Sequence, residues 1–273
     1  MQEEKETTKK TEPQKPLGPP KSTAREYLES FVVTLVMALF GMTFVLQAVT
    51  VPTGSMQNTI LIGDYLLVNK FIFAPGGNPL PFMPQREIER GDIIVFKFPG
   101  YPKELAKTPQ QQAQAGMPYQ TNFVKRVVGL PGEKVEIRGN DVYINDQILP
   151  EHKIIGDSPS SEAALKTKEI EPRQPNQNYD VYYSEEAFKG TSLERYEYAG
   201  KGKPFTVPAN SYFVMGDSRN QSLDSRYWGV VSRDLVVGRA MFVYWSCDRA
   251  AAGDSMFGCL THPRLDRIGT MIK

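Results

Sequence analysis

Val51-Pro52-Thr53-Gly54-Ser55-Met56 is the stretch that decides the reading of this chain. It stands where a long uncharged segment ends, for no side chain between Phe31 and Gly63 is charged at neutral pH. The run from Phe31 to Val51 is apolar enough and long enough to cross a bilayer core of ~30 Å. Ser55 then follows the expected end of a span by four residues. At ~3.3 Å per extended residue, that places the serine within roughly 13 Å of the lipid surface. A reactive serine held there can attack a chain that itself emerges from the membrane. Taken alone, Pro52 to Ser55 reads as the turn after an anchor, and the remainder of the chain has to decide between the two.

On the N-terminal side, residues 1–28 are polar, charged and Pro-rich and read as a disordered cytoplasmic tail. Residues 29–51 read as a transmembrane anchor. A cleaved signal peptide is the competing reading, but its leader would be unusually long and no clean A-x-A site follows. Lys15, Lys21 and Arg25 precede the apolar run closely, whereas Lys70 is the only basic residue in the matching window after it. This bias puts the tail in the cytoplasm and everything after Val51 outside. No second apolar run of that length appears, so the expected anchor is a single pass.

The chain has 273 residues, with 32 Lys+Arg against 31 Asp+Glu. A balance so near neutrality argues for no nucleic-acid partner. With 22 Gly and 21 Pro, and many Tyr and Phe, the composition suits short strands joined by tight turns. The two histidines, His152 and His262, read as solvated surface residues, and neither they nor Cys247 and Cys259 make a metal-ligand spacing. No metal or cofactor is expected, and acid–base chemistry here has to do without histidine.

After the key stretch, Asp64–Asn69 and Asp92–Phe98 read as strands, the second nearly fully buried. Between them, Phe71–Phe73 and Pro79–Pro84 form an apolar, Pro-broken loop. It is either ordinary packing or a lipid-facing lip. Tyr101–Gln120 reads as an exposed, Gln-rich loop. Phe123–Val128 is a strand, and Lys134–Leu149 alternates about Gly139-Asn140-Asp141 as a hairpin does. Residues 150–205, with candidate strands at Tyr179–Tyr183 and Arg195–Tyr198, read as an inserted, more variable β subdomain. Ser211–Met215 and Val236–Trp245 are further strands. Cys247 and Cys259 lie close in sequence beyond the expected membrane, which favours a disulfide. The expected fold is mainly β: one N-terminal transmembrane helix, then an antiparallel β catalytic region over 52–273.

Lys125 is the second residue that could carry chemistry. With period-2 alternation it shares a face with Phe123 and Val127. If that face is the core, the ammonium is desolvated and its pKa falls. A neutral amine can then take a proton from a serine hydroxyl, so a Ser–Lys pair needs no histidine. The plainer reading is an edge-strand lysine that snorkels to water. Ser-x-x-Lys is absent, and Gly216-Asp217-Ser218-Arg219-Asn220 fails the Gly-x-Ser-x-Gly pattern at its last position.

Three stretches together resemble one family: Pro52-Thr-Gly-Ser-Met56, Lys125-Arg-Val-Val-Gly-Leu-Pro-Gly-Glu133 and Gly216-Asp-Ser-Arg-Asn-Gln-Ser-Leu-Asp-Ser-Arg226. They look like the sequence boxes of the bacterial type I signal peptidases, or leader peptidases. Gly91–Pro99 matches a further box, and Pro263–Gly269 resembles the family's C-terminus. The resemblance runs from Val51 to Ile272 in the family's order. It implies a membrane-anchored serine endopeptidase that removes signal peptides from exported preproteins, cutting after small residues at −1 and −3. Ser55 would be the nucleophile and Lys125 the general base. Thr53 would offer its hydroxyl, with the Ser55 N–H, to the oxyanion, and Gly54 would leave room for substrate. Ser222 would orient the lysine amine. Asp224 and Arg226 would form an ion pair behind it, with Arg126 and Asp217 in a similar supporting role. Val51, Pro52, Met56, Ile60 and Val124 fall at pocket-lining positions. The implied partners are preprotein signal peptides and membrane lipid; oligomeric state is left open. The implied location is a Gram-negative inner membrane with the catalytic region periplasmic.

The chain departs from the family in three places. Phe123 stands where some members have Tyr, one span replaces the two of the familiar enterobacterial enzyme, and the loop at 101–120 is long. Two other readings compete. A self-cleaving repressor-type protease would need a DNA-binding domain that residues 1–50 do not contain. A catalytically inactive, anchored signal-sequence-binding protein of the same fold would not be expected to keep Thr53, Ser55, Lys125 and Ser222 together.

Overall fold

The apolar run does not form one uninterrupted helix. In the computed structural model, which describes residues 22–74, 81–82, 84–101, 119–156, 164, 166–189, 196–252 and 258–273, helix α1 covers Thr23–Phe40 and a π-helical turn covers Gly41–Val45. Strand β1, Leu46–Thr50, follows. The Ser22 hydroxyl caps α1 by accepting from the Arg25 N–H, and Arg25 pairs with Glu29 one turn on. The helix therefore begins at Thr23, inside the stretch expected to be tail, and the rest of that tail lies outside the described residues. Thr23–Val45 is long and apolar enough to cross a membrane, and no side chain of α1 is buried by the protein. From Phe31 onward this helix carries no charged side chain, which suits lipid and is consistent with membrane anchoring.

The anchor expected over 29–51 is thus too long at its C-terminal end. Residues 46–50 are β-branched or polar at Gln47, Val49 and Thr50, and they pair antiparallel with β2, Asp64–Asn69. Ser55 follows Val45, the end of the candidate span, by ten residues rather than four.

Residues 42–273 form one compact unit. Its further strands are β3 (Ile93–Lys97), β4 (Asn122–Gly129), β5 (Lys134–Arg138), β6 (Asp141–Ile144), β7 (Gln147–Ile148) and β8 (His152–Gly156). Then come β9 (Thr167–Glu169), β10 (Asp180–Ser184), β11 (Phe205–Thr206), β12 (Ser211–Met215), β13 (Val231–Ser232) and β14 (Val236–Ser246). The main sheet has seven strands in the order β1-β2-β14-β3-β4-β12-β13, every pair antiparallel. Two smaller sheets, β11-β5-β6-β7 and β10-β8-β9, stand beside it; β10 and β8 are parallel, an exception to the antiparallel rule.

Strand β3 explains why its sequence is a continuous apolar run. Ile94 and Phe96 enter one core cluster with Phe98, Val127 and Trp228, while Ile93 and Val95 enter another with Val51, Met56, Ile60 and Ile272. Both faces of the sheet centre are buried, so alternation disappears. The expected strands at 64–69, 92–98, 123–128, 179–183, 211–215 and 236–245, and the hairpin about Gly139-Asn140-Asp141, are all present within a residue or two.

Other expectations are corrected. Tyr196, Glu197 and Tyr198 form no strand; Tyr196 and Tyr198 pack on the cluster over β5 and β6, so this part of 150–205 belongs with that hairpin. His152 is not a surface residue: it is 3% exposed, with Nδ1 2.6 Å from Asp180 and Nε2 3.1 Å from the Glu171 carbonyl. Phe73 is buried and Ile72 packs on the same core, so the loop at 71–73 is packing rather than a lip, whereas Phe82 is fully exposed. Residues 75–80 and 83 of the apolar loop and 102–118 of the Gln-rich loop lie outside the described residues.

Cys247 and Cys259 are bonded, closing a loop with a sequence separation of 12. In the chain-entropy account a loop of this size restrains the unfolded chain by about 3 kcal/mol. The Cys247→Ala/Cys259→Ala double variant should lose about that much unfolding free energy in urea. An unchanged midpoint would show that the bridge restrains nothing.

Candidate active site

Three segments that are distant in sequence meet at the middle of the main sheet. The first is the turn-rich segment 51–63, between β1 and β2, which carries Ser55 half-buried. The second is β4, held between β3 and β12, where Lys125 pairs in register with Ile94 and Arg126 with Ile93. The third is the loop 216–226 after β12. Lys125 is 3% exposed, and its Nζ donates to Ser55 Oγ across 2.6 Å and to the Val124 carbonyl at 3.0 Å. The Phe123 ring, on the same strand face, lies 5.4 Å from that amine.

Burial sets the lysine's charge state. Desolvation pushes its pKa down to about 8, against the opposing pull of the Asp224 and Asp217 carboxylates. The alternation argument predicts this burial, and the snorkelling reading fails because strands β3 and β12 flank β4 on both sides.

The loop 216–226 carries its own charges into the interior. Asp217 accepts two bonds from Arg126, at 2.7 and 2.6 Å, and both side chains are 1% exposed. Arg126 also donates to the Gly91 and Lys273 carbonyls and lies 4.1 Å over the Tyr179 ring. Asp224 accepts from Arg226 at 2.7 and 2.8 Å and from the Gly216 N–H at 2.9 Å. Burial alone would raise its carboxyl, but the Arg226 charge and these hydrogen bonds hold it below the ordinary value. A third buried pair, Arg219 with Glu151, ties the loop to the start of β8.

The remaining expected residues fall as follows. Val51, Met56 and Ile60 share one apolar cluster, with Val124 packed against it; Pro52 is exposed and stands apart from it. Thr53 is exposed, two residues before Ser55. Ser222 Oγ is buried and helps hold the Asp224 carboxyl down, and the bond to the lysine amine expected of it is not formed here. Instead the Val124 carbonyl and Ser55 position the amine.

Two further contacts are not legible in the sequence. Thr59 Oγ1 donates to Asp217 Oδ2 at 2.6 Å, a contact across 158 residues of sequence that only folding creates. Gly216, the first residue of the third motif stretch, is crowded by Ser222 and Ser55, for a Cβ there would lie 2.2 Å from Ser222 Oγ and 2.4 Å from the Ser55 carbonyl oxygen.

Among the described residues no group of His, Cys, Asp and Glu is arranged to hold a metal. The arrangement is a hydroxyl in contact with a desolvated amine, on a floor of buried ion pairs. That suits nucleophilic attack on an acyl carbon with proton transfer to nitrogen.

Comparison with known proteins points the same way. Residues 24–245 match the family described as signal peptidase, peptidase S26. A signal peptidase I of Pseudomonas aeruginosa is 30% identical over 241 residues, covering 81% of this chain and 72% of that protein. A probable signal peptidase I-2 of Synechocystis is 29% identical over 245 residues, covering 90% of this chain and 82% of that protein. A signal peptidase I of Rickettsia canadensis is 32% identical over 239 residues, with 83% and 81% covered.

Replacing Gly216 by alanine should displace Ser222 or the Ser55 backbone. With a misplacement of about 1 Å costing about a hundredfold, Gly216→Ala should lose at least that in hydrolytic rate while its circular dichroism stays that of a β protein. Retained activity would mean that the crowding at Gly216 is unrelated to Ser55.

Proposed function

The chain belongs to the signal peptidase family, peptidase S26, and from that membership we propose that it removes signal peptides with Ser55 as nucleophile and Lys125 as general base. The observation that carries the assignment is the 2.6 Å contact between Lys125 Nζ and Ser55 Oγ at an amine whose pKa is pushed down to about 8. A neutral Lys125 takes the hydroxyl proton as Ser55 Oγ attacks the scissile carbonyl carbon. The ammonium so formed then gives its proton to the departing amine of the mature chain. An ester links the signal peptide to Ser55, and water activated by the same amine hydrolyses it. Thr53 and the Ser55 N–H stabilise the oxyanion, where one such donor is worth roughly 2.7–4 kcal/mol in a comparable serine protease.

In this reading the apolar cluster of Val51, Met56, Ile60 and Val124 backs the surface that receives the substrate residues at −1 and −3, and the exposed Pro52 meets the substrate on its own. Met56 and Ile60 are fully buried and so back this surface rather than open it, which suits small substrate side chains better than bulky ones. The apolar segment within Thr23–Val45 anchors the protein in a single pass. The basic residues Lys15, Lys21 and Arg25 keep the N-terminus cytoplasmic, so residues beyond Val45 act on the outer face of the membrane. Substrates emerging from the same bilayer are presented to Ser55 there.

The decisive experiment is cleavage of a preprotein with an Ala-x-Ala junction by the full chain in detergent and by Ser55→Ala. Wild type should cut after the second Ala, and the variant should fall by about a thousandfold or more. Equal cleavage by both would sink the assignment of Ser55. Inactivity of a folded wild-type chain would favour the inactive signal-sequence-binding reading.

The pH profile tests the base. Because Lys125 must be unprotonated, kcat/KM should fall about tenfold per unit below a pKa of about 8 and level off above it. A flat profile between about pH 5 and 9 would rule out Lys125 as the base.

A further inference from the structure

The segment 51–63 that carries Ser55 is held internally by turn bonds, among them Gln57 N–H to the Gly54 carbonyl at 3.0 Å and Ile60 N–H to the Met56 carbonyl at 2.8 Å. Thr59, half-buried and four residues after Ser55, ties it to two distant parts of the fold. Its hydroxyl donates to Asp217 Oδ2 at 2.6 Å. That carboxylate also takes the two bonds from Arg126, the residue beside Lys125. The Thr59 carbonyl accepts from Arg267 Nη2 at 3.2 Å, and the same guanidinium nitrogen donates at 2.5 Å to Asp64 Oδ2 at the start of β2.

We propose that Thr59 is a positioning residue for the Ser55–Lys125 pair, with its hydroxyl riveting the nucleophile segment to the Asp217–Arg126 pair of the base strand. The proposal rests on the reading of Ser55 and Lys125 as nucleophile and base. Asp217 is 1% exposed, so its carboxylate depends on protein donors, and a short O–H bond to a charged acceptor is among the stronger neutral-donor contacts available. Without that bond, the Lys125–Ser55 contact would have to be held by backbone ties such as Ser218 N–H to the Ser55 carbonyl at 3.2 Å and Arg267 to the Thr59 carbonyl, and by the packing of Met56 and Ile60. Neither the backbone ties nor the packing sets the direction of the Ser55 side chain. A segment free to drift would lengthen the contact to Lys125 and let water reach the amine, which favours its charged form.

The test compares wild type, Thr59→Val, Thr59→Ser and Ser55→Ala as full chains in detergent on the Ala-x-Ala preprotein. Thr59→Val keeps the shape and removes the hydroxyl. It should cut kcat by about ten- to a hundredfold with KM within about twofold, and move the acid-side limb of the pH profile to higher pH. Thr59→Ser keeps the donor and should hold both kcat and the limb near wild type, which a purely space-filling role would not predict. Should Thr59→Val fold poorly, Thr59→Ala removes the same hydroxyl and is read the same way. An unchanged kcat and pH limb in Thr59→Val or Thr59→Ala, or equal damage in Thr59→Ser and Thr59→Val, overturns the proposal. Cleavage by Ser55→Ala would overturn the nucleophile assignment itself. An inactive Ser55→Ala beside an unimpaired Thr59→Val would remove the role of Thr59 alone.

Discussion

The desolvation of one amine is the constraint on which the rest of the site depends. A drop in the Lys125 pKa from 10.5 to about 8 corresponds to about 3 kcal/mol of differential interaction between its two protonation states. That cost persists only if the surroundings cannot relax to rehydrate the nitrogen. The main sheet supplies the rigidity: β4 lies between β3 and β12, and the apolar residues of β3 fill clusters on both of its faces. The two nearby carboxylates pull the other way. Their arginine partners, Arg226 and Arg126, keep that pull from restoring an ordinary lysine.

The buried ion pairs follow from the same geometry. The loop 216–226 leaves the sheet at Met215 and, among the described residues, has no ladder partner apart from the bridge between Ser218 and Tyr182. Three arginines, Arg126, Arg219 and Arg226, each meet a carboxylate inside the protein, and Arg126 and Arg226 also reach a backbone carbonyl and an aromatic ring. A buried pair contributes little net stability, but breaking one by removing a single partner costs about 3–5 kcal/mol. The pairs therefore fix one loop conformation rather than add to the hydrophobic core. Gly216 adds a steric condition, since any side chain there would strike the backbone of Ser55.

The C-terminal segment belongs to the same construction although it is far from Ser55 in sequence. Ile272 lies in the cluster with Val51, Met56 and Ile60, and Arg264 and Arg267 hold the carbonyls of Ile62 and Thr59. The Cys247–Cys259 bridge precedes these arginines and shortens the excursion of the chain between β14 and them. Nucleophile segment, base strand and C-terminal turn are thus packed around one apolar cluster.

The sequence by itself determined the β character, most strand positions and the apolar segment before them, and through the family resemblance it implied the pairing of Ser55 with Lys125. Local alternation and long motif boxes record these things, because which face of a strand is buried is written every second residue. It also carried Asp217, Asp224, Arg126 and Arg226 as paired charges. The tertiary structure alone decided where the apolar run changes from helix to strand, since pairing with β2 claims Leu46–Thr50 over a propensity that does not discriminate. It decided that Tyr196–Tyr198 packs as irregular chain on another sheet and that His152 is buried against Asp180. It decided as well that Ser222 makes no bond to the Lys125 amine and that Thr59 reaches Asp217. These are matters of contact, made or missed, between segments well separated in sequence. Short hydrogen bonds and apolar burial of that kind depend on distances of a few tenths of an ångström, which no local pattern of residues encodes.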